Sequence, residues 1–186
     1  TIFLRFTDTL VAHDKAAWVP RVSTMVDYEC ELAVVIGKGG RHIDQAHALD
    51  HVAGYTCFND ISIRDWQRHT TQFTAGKNFP RSGPLGPWMV TRDEIEDPHN
   101  LAIRTRLNGQ VMQEANTSQL IFRIPELIAY ISSFTPISPG DLIATGTPSG
   151  VGFARKPPVF MKAGDVVEVE IEGIGVLKTR LEAEPA

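Results

Sequence analysis

Short apolar or alternating runs, broken by Gly, Pro and Asn-Gly, recur along almost the whole chain and constrain its fold more than any other feature. Alternation with a period of two is typical of half-buried β-strands, and turn residues between the runs mark strand ends. The runs that predict strands are TIFLRF, YECELAVVIG, VAGYTCF, GPWMVT, LAIRTRLNGQVM, DLIATG and VVEVEIEGIGVLKTRL. Asn108-Gly109 predicts a two-residue hairpin turn, and the stretch from Gly173 to Gly175 predicts another turn.

Helical patterns are fewer. A proline at position 125 favours a helix that begins near Ile124. Its apolar residues fall on one face: Ile124, Leu127, Ile128, Ile131 and Phe134. A weaker pattern with an acidic cap runs from Asp44 to Val52. We therefore predict an α+β fold that is mainly β with a few short helices, in one domain over residues 1–186.

Composition excludes several classes of function. The formal charge of −4, the pI near 5.8 and the scattered basic residues argue against binding to nucleic acid. No apolar run approaches membrane-spanning length, so we expect no membrane insertion. Two cysteines, Cys30 and Cys57, fit a reducing compartment, and we expect a cytoplasmic protein. The chain enters an apolar run directly at Thr1, which is consistent with a missing upstream segment.

Three carboxylates precede the apolar end of one predicted strand, VDYECELAVVIG. Asp27, Glu29 and Glu31 alternate with apolar residues, so a continuous strand would place them on one face and Cys30 on the other. Like charges placed in a row repel one another. This face therefore calls for a cation, a basic partner or open water opposite it.

The next polar residues supply candidates for a site. If a helical turn begins at Asp60, then Asp60, Arg64 and Gln67 lie at i, i+4 and i+7 and share one face. Further along, Lys77 lies in the glycine-containing stretch TAGKNFP, where a flexible loop could bring its ammonium to a pocket.

Two glutamates on one strand face and one aspartate from a neighbouring segment would form an all-oxygen ligand set. Such a set suits Mg²⁺, Mn²⁺ or Ca²⁺ better than zinc or copper. An octahedral ion bound in this way would keep about three positions for water or for a chelating dicarbonyl, whose oxygens it would polarise.

A resemblance to a known family rests on motifs in a fixed order. These are DYECELAVVIG, AGYTCFNDISIRDWQ, GKNF, GPW, SPGDLIATGTPSGVG and GDVVEVEIEGIGVLKTRL. Together they resemble the fumarylacetoacetate hydrolase superfamily, in its acylpyruvase or fumarylpyruvate hydrolase-like branch. The resemblance implies a mixed β-roll, a homodimer, a divalent ion and oxo acid or diketo acid substrates. It also implies a role in the catabolism of aromatic compounds.

The resemblance assigns roles to individual residues. It implies that the metal ligands are Glu29, Glu31 and Asp60, and that Lys77 is the catalytic cation beside the metal. It further implies that the substrate-binding residues are Arg64, Gln67 and Thr147, the last of which lies in TGTPSGVG.

Structural explanations compete with each of these roles. Glu29 and Glu31 could form a solvated strand face, and Asp60 could cap a helix. Arg64 could pair with Asp65 rather than bind substrate. An isolated lysine in a loop is usually solvated, and a glycine-rich segment around a threonine is often only a turn. Asp27 is not a ligand in the family pattern, so we place it behind the ligands or in solvent.

One departure bears on the reaction. Many members of this family use an upstream histidine, paired with a glutamate, to activate water, but only His13 precedes Glu29 and its surroundings do not match that motif. The base would then lie in a missing segment or a mobile lid, or the reaction would not need it. The leading hypothesis is a metal-dependent hydrolase of a carbon–carbon bond in acylpyruvate-like or diketo acids. The alternatives are an oxaloacetate-type decarboxylase, a 2-oxo acid tautomerase or isomerase, and a non-catalytic oxo-acid-binding module.

Overall fold

The computed structural model describes residues 1–186. Twelve strands and three helices form the regular structure. The strands are β1 Leu10–Ala12, β2 Ala17–Val19, β3 Val26–Asp27, β4 Cys30–Ile36, β5 Val52–Asn59, β6 Ser62–Ile63, β7 Gly83–Thr91, β8 Ala102–Leu107, β9 Gln110–Asn116, β10 Leu142–Ala144, β11 Val166–Ile171 and β12 Gly175–Ala183. The helices are α1 Arg64–Gln67, α2 Thr74–Lys77 and α3 Ile124–Phe134. The predicted α+β, mainly β class is confirmed.

Two five-stranded sheets carry most of the chain. One has the order β1-β7-β5-β4-β10 and the other β2-β12-β11-β8-β9, while β3 and β6 form a separate pair. The β1–β7 and β2–β12 pairs are parallel, and the other pairs are antiparallel. A core cluster of 21 buried residues draws on both large sheets and on α3, so these elements pack against each other.

Local signals correctly located two predicted elements. Asn108 and Gly109 connect β8 to β9 with φ values of 51° and 81°, the left-handed backbone that a tight hairpin requires. Helix α3 begins at Ile124, and the Glu126 carboxylate accepts a hydrogen bond from the Arg123 N–H at 2.7 Å. Ile128 is buried in the core as predicted, but Phe134 is exposed, so the apolar face of α3 ends one turn earlier than predicted.

The prediction of a strand at TIFLRF is wrong. Residues 1–6 are extended but pair with no strand. The side chain of Asn78 bonds to their backbone instead: its Oδ1 accepts from the Phe6 N–H at 2.7 Å, and its Nδ2 donates to the Leu4 carbonyl at 2.9 Å. The apolar run is therefore not evidence of membership of a sheet, and its residues Ile2, Leu4 and Phe6 are exposed.

The prediction of a helix from Asp44 to Val52 is also wrong. Only Ala48–His51 form a short 3-10 helix. Asp44 does act locally as expected, because its Oδ1 accepts a hydrogen bond from the His47 N–H at 3.0 Å. That bond stabilises a turn, and the few apolar residues that follow do not support a longer helix.

Candidate metal centre and active site

The register of β4 and β5 brings three carboxylates together. The strands are antiparallel with Cys30 opposite Asn59, so the start of β4 lies beside the end of β5. Glu29 precedes β4, Glu31 is its second residue and Asp60 follows β5. One oxygen from each lies within 4.8 Å of the others, and all three residues are buried. The cluster that the strand pattern and the family motifs predicted is therefore present in the structure.

Lys77 lies inside this cluster. Its Nζ is 2.7 Å from Oε2 of Glu29 and 2.6 Å from Oδ2 of Asp60, and the residue is only 1% exposed. Lys77 ends helix α2 rather than lying in an open loop, and solvation of its side chain is excluded. Gly76 permits this arrangement because a Cβ there would lie 2.4 Å from the Cα of Gln67. Helix α2 therefore packs closely against α1, and this packing places the Lys77 ammonium beside the carboxylates.

Arg64 faces the same cluster from α1. Its Nη1 lies 2.7 Å from Oε1 of Glu29 and donates to Oε1 of Gln67 at 3.0 Å. Burial opposes the charge, but Glu29 and Asp27 raise the pKa of Arg64. Its Nη2 is buried without a hydrogen-bond partner in the chain. This nitrogen is a free donor beside the carboxylates.

Two details of the predicted polar site are wrong. Residues 60–63 are not helical, so Asp60 does not share a helix face with Arg64 and Gln67; only the last two belong to α1. Arg64 does not pair with Asp65, whose Oδ1 instead accepts from Ser23 Oγ at 2.7 Å. The polar residues converge through tertiary packing rather than through one helix.

Asp27 stands behind Arg64 and outside the carboxylate cluster. It is fully buried, and its Oδ2 accepts from Nε of Arg64 at 2.8 Å. Its two oxygens also accept from the backbone N–H groups of Gly152 at 2.7 Å and Phe153 at 2.9 Å. Asp27 therefore ties Arg64 to the glycine-rich segment, and it is neither solvated nor part of the cluster.

Glu31 is the one cluster carboxylate without a cationic side chain bonded to it. Its Oε2 accepts the N–H of Gly146 at 2.8 Å. Burial, followed by the charges of Asp60 and Glu29, raises the pKa of Glu31 well above its ordinary value. Asp60 behaves differently, because Lys77 and Arg5 outweigh burial and lower its pKa. An ionised Glu31 is thus stabilised less by the chain than Asp60 is, since only the Gly146 N–H bonds to it directly.

A divalent cation fits this arrangement. Three hard oxygen donors converge from Glu29, Glu31 and Asp60, and the electrostatic strain is concentrated at Glu31. A carboxylate oxygen that accepts a hydrogen bond from a cation keeps a second lone pair for a metal. The donor set is of the kind that Mg²⁺, Mn²⁺ and Ca²⁺ take, while the identity of the ion stays a prediction.

Thr147 lies beside the cluster rather than in it. Its Oγ1 accepts from Nε2 of Gln113 at 2.9 Å, and the preceding residue, Gly146, contacts Glu31. The turn forms one wall of a cavity of about 390 Å³, whose other wall includes Ile121 and Phe122. Thr147 therefore lines a cavity at the same turn that contacts Glu31.

Sequence reasoning missed two residues of the site. Gln113 holds the Thr147 turn, and its Oε1 also accepts from the N–H of Cys30 at 3.1 Å. Arg5 donates from Nε to Oδ1 of Asp60 at 2.7 Å. A lone arginine inside the apolar run TIFLRF was a usable signal for Arg5. Gln113, in an ordinary strand, gave none.

The histidines do not contribute to the cluster. His13 accepts from the N–H of Lys178 at 3.1 Å and contacts Asp14, and none of the six histidines hydrogen-bonds to the cluster carboxylates. His99 has polar neighbours in the sequence, yet it is buried and accepts the N–H of Ile124 at 3.1 Å.

A mixed, mainly β fold with a buried acidic centre defines a class of protein that can hold a divalent ion against a small ligand. Residues 1–182 match the model described as fumarylacetoacetate (FAA) hydrolase C-terminal. The chain belongs to the fumarylacetoacetate hydrolase family, which confirms both the resemblance and the predicted β-roll. Divalent metal binding is usual in this family.

Curated relatives are identical to this chain at about half of the aligned positions. It is 51% identical over 178 residues to oxaloacetate tautomerase FAHD2A, mitochondrial, of Homo sapiens, covering 95% of this chain and 57% of that protein. It is 49% identical to oxaloacetate tautomerase fahd2, mitochondrial, of Xenopus laevis, covering 95% of this chain and 56% of the relative. The chain therefore spans little more than half the length of these relatives.

Solved structures agree on the fold. The 5-carboxymethyl-2-hydroxymuconate delta-isomerase from Mycobacterium smegmatis superimposes with a TM-score of 0.90 at 36% identity, covering 99% of this chain and 69% of that one. Fumarylacetoacetate hydrolase from Exiguobacterium antarcticum gives 0.90 at 38% identity, covering 95% and 64%. The chain is thus similar to enzymes with different reactions.

None of its helices has the length and apolar character needed to cross a membrane.

Proposed function

We propose that this chain carries the catalytic site of a divalent-metal-dependent enzyme that interconverts the keto and enol forms of a 2-oxo acid of the oxaloacetate type. The observation that carries the proposal is the buried ammonium of Lys77 between Glu29 and Asp60. Relatives named oxaloacetate tautomerases at about 50% identity support this reaction over the carbon–carbon hydrolysis predicted from sequence.

The proposed metal ligands are Glu29, Glu31 and Asp60. When bound there, a divalent ion would polarise the carbonyl oxygen of a 2-oxo acid and favour negative charge on that oxygen. Lys77 supplies a fixed positive charge at the same place. An oriented cation in a buried site stabilises developing charge more than water does, because the surroundings need not reorganise.

Substrate orientation is assigned to the donors around the cluster. Arg64 offers its unpartnered Nη2 to a substrate carboxylate, while Asp27 and Gln67 hold the guanidinium in place. Thr147 offers its hydroxyl from the wall of the neighbouring cavity. These contacts would hold the substrate in the orientation in which its polarised carbonyl makes the α-proton more acidic.

Cleavage of a carbon–carbon bond in an acylpyruvate-like substrate is the second candidate. Solved relatives named fumarylacetoacetate hydrolase and maleylpyruvate hydrolase favour it. That reaction needs a base that activates water, and no histidine hydrogen-bonds to the cluster. Keto–enol interconversion also needs a group that accepts a proton and returns it, but it adds no water and breaks no carbon–carbon bond, so it makes fewer demands on the residues present.

The test compares both reactions in one protein. Decay of the enol absorbance of oxaloacetate and cleavage of an acylpyruvate are followed with Mg²⁺, with Mn²⁺ and with a chelator, against the same metal without protein. We expect metal-dependent enol decay that Glu31→Gln abolishes and the exposed control Glu182→Gln leaves intact. Acylpyruvate cleavage without enol decay would favour the hydrolase, and release of carbon dioxide a decarboxylase. Metal and oxo acid binding without turnover would indicate a binding module.

The cellular location and the oligomeric state of the protein are also proposals. The relatives named above carry the word mitochondrial in their names, so the expectation of a cytoplasmic protein gains no support from them. The homodimer, the single domain and the role in aromatic catabolism likewise stay predictions.

A further inference from the structure

The side chain of Arg5 reaches the acidic cluster from the extended segment that precedes β1. It is 11% exposed, and its Nε donates to Oδ1 of Asp60 at 2.7 Å. None of the sequence motifs includes this arginine. Arg5 is far from the cluster residues in the sequence, so only the tertiary fold brings it to the cluster.

Every donor of the Arg5 guanidinium is already used. Nη1 donates to Oγ of Ser82 at 3.0 Å and to Oγ1 of Thr9 at 3.2 Å. Nη2 donates to the carbonyls of Ile61 at 2.8 Å and Ser82 at 2.9 Å. A guanidinium has five N–H donors, so none is left for a substrate. Arg5 can therefore act on chemistry only through Asp60.

The Asp60 carboxylate is fixed from both sides. Lys77 holds Oδ2 at 2.6 Å, and Arg5 holds Oδ1 at 2.7 Å. Arg5 is in turn anchored to the carbonyl of Ile61, the residue that follows Asp60. The carboxylate plane is thus set relative to its own backbone, and one lone pair on each oxygen stays free to face Glu29 and Glu31.

We propose that Arg5 is a positioning residue that presents the Asp60 carboxylate to the divalent cation. This inference rests on the proposed function, because it takes Asp60 as a metal ligand. Groups that orient a ligand typically change metal affinity about 10- to 100-fold when they are removed. Lysine cannot reproduce the planar fork of arginine, so Arg5→Lys should restore only part of the affinity.

Binding of Mn²⁺ alone to the whole chain tests the proposal without reference to catalysis. The dissociation constant is measured by titration calorimetry for the wild type, Arg5→Met, Arg5→Lys and Ser82→Ala. Arg81→Met is the matched control, because Arg81 donates to the Ala16 carbonyl and stacks on Trp18 away from the cluster. We expect Arg5→Met to weaken binding about 10- to 100-fold, with smaller losses in Arg5→Lys and Ser82→Ala and none in the control.

Rescue separates positioning from general stabilisation. Added guanidinium ion at low concentration should restore part of the Mn²⁺ affinity of Arg5→Met but not that of Glu31→Gln, while a purely structural loss would not respond. Unchanged affinity in a folded Arg5→Met, or in Arg5→Lys if Arg5→Met does not fold, would overturn the inference. A wild type that does not bind Mn²⁺, or a Glu31→Gln variant that binds it normally, would instead defeat the metal site itself.

Discussion

The ammonium nitrogen of Lys77 lies 2.6 Å from Oδ2 of Asp60, and both side chains are only 2% exposed. Neither charge can be solvated by water, so each depends on the other. The same ammonium also bonds Glu29. The pair therefore couples the stability of the fold to the charge that the proposed reaction uses.

Removing the cation should destabilise the protein. In Lys77→Met, Glu29 and Asp60 lose a buried partner, and breaking a buried pair in this way costs about 3–5 kcal/mol of unfolding free energy. Urea denaturation of metal-free protein measures the loss. The exposed control Lys38→Met should stay within about 0.5 kcal/mol of the wild type. Equal stability of the two variants would mean that the Lys77 pairs contribute nothing.

Replacing Glu31 should have opposite effects on metal binding and on stability. Glu31 is buried without a bonded cationic side chain, so at a pH where its carboxyl is ionised Glu31→Gln removes a poorly compensated charge and should raise the melting temperature of the metal-free protein. The same change removes a proposed ligand, so added Mn²⁺ should no longer raise the melting temperature. A thermal melt with Mn²⁺ and with chelator measures both effects. A variant that is less stable without metal and still stabilised by Mn²⁺ would show that the assignment is wrong.

Asp27 should control Arg64 from behind the cluster. In Asp27→Asn, only one side-chain oxygen is left for the donors that bond to two oxygens in the wild type. The NH₂ group of the new amide would face donors such as the Gly152 N–H. We expect a loss of about 3–5 kcal/mol in unfolding free energy and a higher KM for the oxo acid. The control is Asp65→Asn, since Asp65 bonds only Ser23 Oγ and its neighbouring N–H, and it should lose about 1 kcal/mol. Similar losses in both variants would contradict the special role of Asp27.

Stability should fall in mild acid because of His99. Burial, followed by the charge of Arg123, lowers the pKa of His99 below its ordinary value, while Asp97 opposes the shift. A proton then binds more readily to the unfolded chain. The contribution of His99 is complete above the unfolded pKa of about 6.5 and is lost as pH falls through the folded pKa.

His99→Gln isolates this effect, because glutamine can still accept the Ile124 N–H but does not titrate in this range. Melting temperatures are compared between about pH 7.5 and pH 5.5, and the wild type should fall more than the variant over this interval. His69→Gln, at an exposed position, should follow the wild type. Parallel curves for the wild type and His99→Gln would rule out His99 as the cause.

Sequence patterns correctly predicted the elements whose conformation depends on residues close to one another in the chain. The Asn108-Gly109 hairpin and the start of α3 at Ile124 follow from backbone preferences that act over a few residues. The carboxylates were found because Glu29, just before β4, and Glu31, within it, are exceptions in an otherwise apolar run, although the choice of metal over solvation needed the family resemblance.

Long-range partners account for the errors. TIFLRF is apolar like a buried strand, yet the Asn78 side chain takes the place of a sheet neighbour, and no local pattern reports that. Arg5 was overlooked for the same reason, since its target Asp60 lies 55 residues away. His99 has polar neighbours in sequence but packs at the first turn of α3. Such contacts are decided by how the elements pack.

The most direct test of the proposed enzyme is the rate of enol-oxaloacetate decay in three proteins at saturating Mn²⁺. Wild type and Lys38→Met should show the same rate, well above that of Mn²⁺ alone, and chelator should abolish the excess. Lys77→Met, measured under conditions where it is folded, should decay at the rate of Mn²⁺ alone. Decay by Lys77→Met at the wild-type rate, or wild-type activity that survives chelation, would contradict the central claim that Lys77 and a metal held by Glu29, Glu31 and Asp60 act together.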